Sequence, residues 1–142
     1  MAEPVSIEEE LERYGRCFRQ TSGTSMEPLL HARTSTVVLE PPAGPPKKND
    51  VVLYRRPDGV YVLHRVLKPG PETSLIRGDH CVAAEIVPNG WIVGVMTGFY
   101  NGEAYTSCGG AACRRYMRTL PLRHGVLWGR ALLGRVKRKL FR

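Results

Sequence analysis

A chain of 142 residues with 42% hydrophobic residues suits one compact domain whose core needs no disulfide bonds. Eleven prolines and fifteen glycines favour many turns and short strands over a helical bundle. The formal net charge of +8 is concentrated at the C-terminal end, because ten Lys and Arg but no acidic residue follow Glu103.

No run of the sequence approaches the roughly 20 apolar residues that a helix needs to cross a bilayer. The N-terminal segment 1–10 also lacks the apolar region of a signal peptide. We therefore expect a cytoplasmic protein that is at most peripheral at the membrane. In that setting Cys17, Cys81, Cys108 and Cys113 are expected to be reduced thiols.

A metal site is disfavoured by the spacing of the cysteines. Cys108 and Cys113 lie close together in sequence and His124 offers a third ligand, but no fourth ligand is evident. Structural zinc sites have four protein ligands. We predict neither a metal nor another cofactor.

The first predicted element is a helix over residues 6–20, within an N-terminal segment 1–20. Ser6 and Glu9 form a capping box, and an apolar stripe follows at helical spacing: Ile7, Leu11, Tyr14 and Phe18. Packing of this helix on the domain is favoured over binding of a partner.

A β-rich core is predicted over residues 21–107. Apolar runs with β-branched residues indicate strands at 36–39, 51–54, 60–67, 74–77, 91–100 and 103–107. Pro57-Asp58-Gly59 predicts the turn of one hairpin, and Asn101-Gly102 predicts the turn of another. The expected fold is mainly β, with a helix at each end.

The basic segment 108–142 is predicted to contain an amphipathic helix from about Gly125 onward. Its apolar residues recur every four positions: Trp128, Leu132, Val136 and Leu140. Residues 124–142 are equally consistent with a helix that packs on its own domain and with one that binds an anionic membrane surface or an acidic protein. Nucleic acid is disfavoured, because aromatic residues do not alternate with the basic ones.

Three short motifs carry candidate chemistry. Ser25 follows a glycine turn, His64 lies on an apolar strand face with Val62 and Val66, and Asp79 follows Gly78 in a turn. A serine hydroxyl needs a base to become nucleophilic, and a carboxylate can orient that base. Lys68 is the alternative base, because a desolvated lysine can also activate serine.

These motifs resemble those of the S24/S26 serine peptidases, the superfamily of signal peptidase I and the SOS-repressor peptidases. Residues 23–28, Gly-Thr-Ser-Met-Glu-Pro, resemble the Gly-x-Ser-Met-x-Pro nucleophile box. Residues 62–66 resemble the His-Arg-Val box of the endoplasmic-reticulum-type and archaeal branch. Supporting similarity lies at 49–54, 77–79 and 92–95.

The resemblance implies coiled antiparallel sheets and cleavage of a peptide or protein held extended beside a strand edge. Ser25 would be the nucleophile, His64 the general base and Asp79 the supporting acid, and the Ser25 amide would contribute to the oxyanion hole. Gly23, Met26 and Pro28 would contribute to substrate binding.

The chain departs from the family pattern at His80, where the family has asparagine, and at residues 31–35, which lack its Gly-Asp. The membrane anchor usual in signal peptidases is also replaced by the charged residues 6–20. Self-cleavage, as in the repressor relatives, is less favoured than cleavage of another protein. An Ala-Gly pair would be expected before the serine, but Ala43-Gly44 follows it. The remaining alternative is a peptidase-like adaptor, weakly active or inactive, that binds its partner through residues 104–142.

Overall fold

A computed structural model describes residues 5–140 of the chain, with side chains described as far as residue 135. Predictions that fall elsewhere, including the stripe residues Val136 and Leu140, lie outside the described side chains. The prediction of a mainly β fold is confirmed. The strands are β1 (Cys17–Gln20), β2 (Ser35–Glu40), β3 (Val51–Arg55), β4 (Tyr61–Lys68), β5 (Thr73–Arg77), β6 (Glu85–Pro88), β7 (Ile92–Asn101) and β8 (Ala104–Ser107).

The eight strands form one antiparallel sheet in the order β1-β2-β7-β3-β4-β5-β6, with β8 paired to β7. Six strands lie where the sequence predicts them, whereas β1 and β6 are additional. The predicted turn at 57–59 connects β3 to β4, with Gly59 at a φ of +88°. The β7–β8 turn lies one residue later than predicted, because Asn101 pairs with Ala104.

The N-terminal helix α1 (Ile7–Tyr14) is shorter than the predicted helix over 6–20. Its predicted start is confirmed, since the amide of Glu9 donates a hydrogen bond of 3.2 Å to the Ser6 hydroxyl. Gly15 ends the helix because it adopts the left-handed conformation, with its amide bonded to the Leu11 carbonyl. The chain then enters β1, where Phe18 pairs with Val38 of β2.

Both faces of the sheet are covered by apolar side chains. The larger cluster includes Leu11, Met26, Leu39 and Leu53, and the smaller one includes Val52, Tyr54, Val66, Ile76 and Val87. Because neighbouring residues of a strand point to opposite faces, β4 sends His64 towards the smaller cluster and Arg65 towards the other side. This alternation places the His64 and Arg65 side chains on opposite faces of the sheet.

The C-terminal helix α2 (Ala111–Leu140) begins well before the predicted start near Gly125. Its first turns pack on the sheet, with Cys113 and Leu120 buried. Pro121 follows, and a proline inside a helix removes one backbone hydrogen bond. Among residues 5–140, no helix has both the length and the apolar character needed to cross a membrane.

Candidate active site

Ser25 lies in the loop that connects β1 to β2. Gly23 opens the turn with a φ of +80°, and hydrogen bonds from Glu27 to Thr24 and from Leu30 to Met26 fold the segment tightly. The side chain of Met26 is buried in the larger core cluster and anchors the loop. Ser25 itself is half-buried, so its backbone is fixed while its side chain can still be reached from solvent.

The Ser25 backbone meets His64 at Gly78. The Ser25 carbonyl accepts a hydrogen bond of 2.8 Å from the His80 amide. A Cβ placed on Gly78 would stand 2.6 Å from the Ser25 carbonyl oxygen, 2.7 Å from Cys81 Sγ and 3.0 Å from His64 Nε2. Since all three atoms surround one point, the loop that contains Ser25, strand β4 and the loop of residues 78–81 converge there.

This crowding predicts that Gly78→Ala destabilises the protein. The added methyl group must displace a backbone carbonyl, and overpacking of this kind typically costs about 1–3 kcal/mol. Thermal unfolding of the variant should show a lower midpoint than the parent. Gly90→Ala is the matched control, because a Cβ there meets nothing within 4 Å. Equal midpoints for the two variants would contradict the packing described at Gly78.

The second ring nitrogen of His64 faces a tyrosine and a glutamate. His64 Nδ1 lies 3.5 Å from the Tyr54 hydroxyl, which donates a hydrogen bond of 3.0 Å to Glu85 Oε2. Arg56 donates to the same oxygen at 2.7 Å. Because the Tyr54 proton is used by Glu85, the Tyr54 oxygen is left to accept from Nδ1–H. That tautomer leaves Nε2, the atom beside the Ser25 backbone, with a free lone pair.

The charge state of His64 suits a general base. Burial lowers its pKa below the ordinary value, and the nearby guanidinium of Arg56 lowers it further. The carboxylates of Glu85 and Asp79 act in the opposite direction without reversing the shift. The imidazole is therefore neutral at neutral pH and able to accept a proton.

Asp79 does not take the orienting role predicted for it. Its carboxylate, 2% exposed, accepts hydrogen bonds from Arg65 Nε at 2.8 Å, Arg65 Nη2 at 2.9 Å and the Tyr116 hydroxyl at 2.8 Å. Within residues 5–135 it forms no hydrogen bond with His64. The physical reason is the alternation of β4, which points Arg65 to the side where Asp79 lies. Asp79 thus anchors the 78–81 loop, and Tyr54 with Glu85 takes the place beside the histidine.

A cavity of about 290 Å³ opens beside Ser25. Ser22, Gly23 and Ser25 form part of its wall together with the polar residues Arg19, Gln20 and Thr21, and the apolar part of the lining includes Leu30, Val37, Leu39, Leu53 and Leu63. Of the residues predicted to bind substrate, Gly23 and Met26 line this cavity. Pro28 is exposed and does not, because the turn after Met26 carries it away from the opening.

The chain matches no family model, no curated protein and no solved structure in the comparisons made. The resemblance to S24/S26 peptidases therefore remains a prediction that depends on the motifs.

Two other sequence-based candidates occupy different surroundings. Lys68, the alternative base, is exposed at the end of β4, beyond an irregularity in the β4–β5 register that breaks the alternation. His124, weighed as a third metal ligand, lies on α2 with its Nδ1 against the Arg77 guanidinium. Among the described residues, no three His, Cys, Asp or Glu side chains are grouped as a metal site would require.

Tyr54 and Glu85 were not among the residues predicted from the sequence. A signal for Tyr54 was present, because the predicted hairpin turn at 57–59 pairs Val52 with His64 and so places Tyr54 on the same face. Glu85 gave no such signal. It lies on β6, a strand of four residues whose pattern does not stand out.

Proposed function

We propose that this protein is a serine peptidase in which Ser25 is the nucleophile and His64 the general base. The observation that carries the proposal is the convergence at Gly78, where the Ser25 backbone and His64 Nε2 lie against the same point. Nucleophilic catalysis by serine requires a neutral base close to the serine, and His64 is a neutral, half-buried imidazole beside the turn that contains Ser25.

In the proposed reaction the Ser25 hydroxyl attacks the carbonyl carbon of a peptide bond while His64 Nε2 takes its proton. The Ser25 amide, which has no hydrogen-bond acceptor among the described residues, would donate to the negatively charged oxygen that forms. His64 then transfers the proton to the departing amine. Water, deprotonated by His64, cleaves the acyl-serine ester and regenerates both groups.

The other groups have supporting roles in this proposal. Tyr54, held by Glu85, would keep the His64 proton on Nδ1. The cavity beside Ser25 would take an apolar side chain of the substrate, since seven aliphatic side chains and Met26 line it. The Ser25 hydroxyl makes no hydrogen bond to His64 within the described residues, and catalytic contacts of this type often form only when substrate is bound.

A fluorophosphonate probe, which forms a covalent bond with activated serines, tests the proposal without a known substrate. We expect intact-mass spectrometry to show a single adduct on the parent, located at Ser25 by peptide mapping, and none on Ser25→Ala. Thr24→Ala is the matched control, because it removes an exposed hydroxyl from the same loop that does not line the cavity. An adduct on Ser25→Ala equal to that on the parent would overturn the proposal.

The second candidate is a catalytically weak or inactive adaptor. It is favoured by the absence of a hydrogen bond between the Ser25 hydroxyl and His64 in the described structure. The two candidates differ in one measurement, since an adaptor would show no probe adduct on a folded parent protein.

A further inference from the structure

The part of α2 that follows Pro121 exposes large apolar side chains. Trp128 is 62% exposed, and four others have comparable exposure: Leu122, Val126, Leu132 and Leu133. In a helix of 3.6 residues per turn, separations of four, seven and eleven residues return to nearly the same side. Leu122, Val126 and Leu133 therefore share a face, whereas Leu132 lies about 80° and Trp128 about 120° from Leu122 around the helix, so that the five side chains span an arc of about 160°.

This apolar face does not pack on the protein's own core. The residues by which α2 contacts the rest of the chain include Cys113, Tyr116, Leu120 and His124. His124, whose ring meets Arg77, projects away from the direction of Leu122 and Leu133. In 124–135, the described part of the predicted segment, the large apolar side chains Val126, Trp128, Leu132 and Leu133 are exposed, while His124 contacts Arg77 from another side of the helix.

The charge around the face is uniformly positive. Arg123, Arg130 and Arg135 are exposed along the same stretch, and no acidic residue follows Glu103 in the sequence. An exposed cation beside exposed apolar surface suits an interface in which anionic groups lie above an apolar layer. Lipid headgroups and acyl chains provide that arrangement, and tryptophan is enriched at such boundaries.

We propose that the 122–135 part of α2 binds the surface of an anionic lipid bilayer. The helix would lie in the plane of the headgroups, with Leu122, Val126, Trp128, Leu132 and Leu133 inserted and the arginines paired with lipid phosphates. A lipid surface is favoured over an acidic protein because the exposed apolar residues extend along three turns with no groove or polar pattern that would specify one partner side chain. The sheet and the candidate active site would then be held close to the bilayer.

Vesicle sedimentation of the full chain tests this proposal. We expect binding to vesicles of phosphatidylcholine mixed with phosphatidylglycerol, and little binding to phosphatidylcholine alone. The double variant Trp128→Ser/Leu132→Ser should reduce the partition coefficient by more than about tenfold, because two large apolar side chains are no longer buried. Arg130→Gln/Arg135→Gln should reduce it by about tenfold or more. Ile86→Ser, which alters an equally exposed apolar residue on β6, should leave it unchanged.

Tryptophan fluorescence provides a second readout that is independent of sedimentation. In Trp91→Phe the only tryptophan is Trp128, whose emission should shift to shorter wavelength when anionic vesicles are added. In Trp128→Phe the remaining Trp91, half-buried beside the smaller core cluster, should show no shift.

Several outcomes would overturn the proposal. These are equal binding to neutral vesicles, binding unaffected by the α2 variants, or binding to polyglutamate or RNA in place of vesicles. Self-association that buries Trp128 in the absence of lipid would also overturn it. Ser25→Ala should bind vesicles like the parent, so failure of lipid binding and failure of the peptidase proposal can be told apart.

Discussion

Replacing Asp79 with asparagine should lower the free energy of unfolding by about 3–5 kcal/mol. The carboxylate is almost fully buried and holds Arg65 through two hydrogen bonds and Tyr116 through a third. Arg65 is also buried, so removing the negative charge leaves a guanidinium without its counter-charge in a site that water does not reach. Removing one partner of a buried ion pair is costly for this reason, even where the intact pair contributes little.

Urea unfolding of Asp79→Asn and parent, followed by circular dichroism, measures this effect. Glu10→Gln is the matched control, since it removes one partner of the more exposed Glu10–Arg19 pair. Exposed ion pairs contribute about 0–1 kcal/mol, so that variant should unfold close to the parent. A similar decrease in the free energy of unfolding in both variants would show that burial does not make the Asp79–Arg65 pair more costly to break than an exposed pair.

The fold was largely predictable because its signals are local. Proline and glycine turns separate short β-branched runs, and the Pro57-Asp58-Gly59 turn sets the register that pairs Val52 with His64. The errors occur where a local signal competes with a nonlocal one. Cys17–Gln20 continues a helical pattern in sequence, but Gly15 ends the helix and pairing with β2 makes the segment a strand.

The candidate site was predictable only in part. Ser25 and His64 could be selected as candidates because each stands in a distinctive local motif, and the structure brings the Ser25 backbone and the imidazole to the same glycine. The carboxylate near His64 differs from the predicted one, because it depends on which face of the sheet Asp79 and Glu85 each reach. That face is set by pairing between β5 and β6, which no short pattern in the sequence encodes.

If His64 is the base, His64→Gln should reduce the rate of fluorophosphonate labelling of Ser25 by about 10²–10⁴-fold, the range typical for loss of a general base. Glutamine keeps a similar polar volume but cannot accept the serine proton. His31→Gln is the matched control, because His31 is exposed in the same loop as Ser25, and it should label at the parent rate. Circular dichroism of each variant separates loss of the base from loss of the fold.

The pH dependence of labelling provides the stricter test, because its direction follows from the surroundings of His64. The reaction needs the neutral imidazole, so the parent rate should fall as the pH drops through the His64 pKa. Burial lowers that pKa below the ordinary value of 6.5, which places the midpoint of the fall below pH 6.5. Since Glu85 raises the His64 pKa, Glu85→Gln should move the midpoint to still lower pH. A midpoint above 6.5, or the same acid limb in His64→Gln, would mean that another group accepts the serine proton.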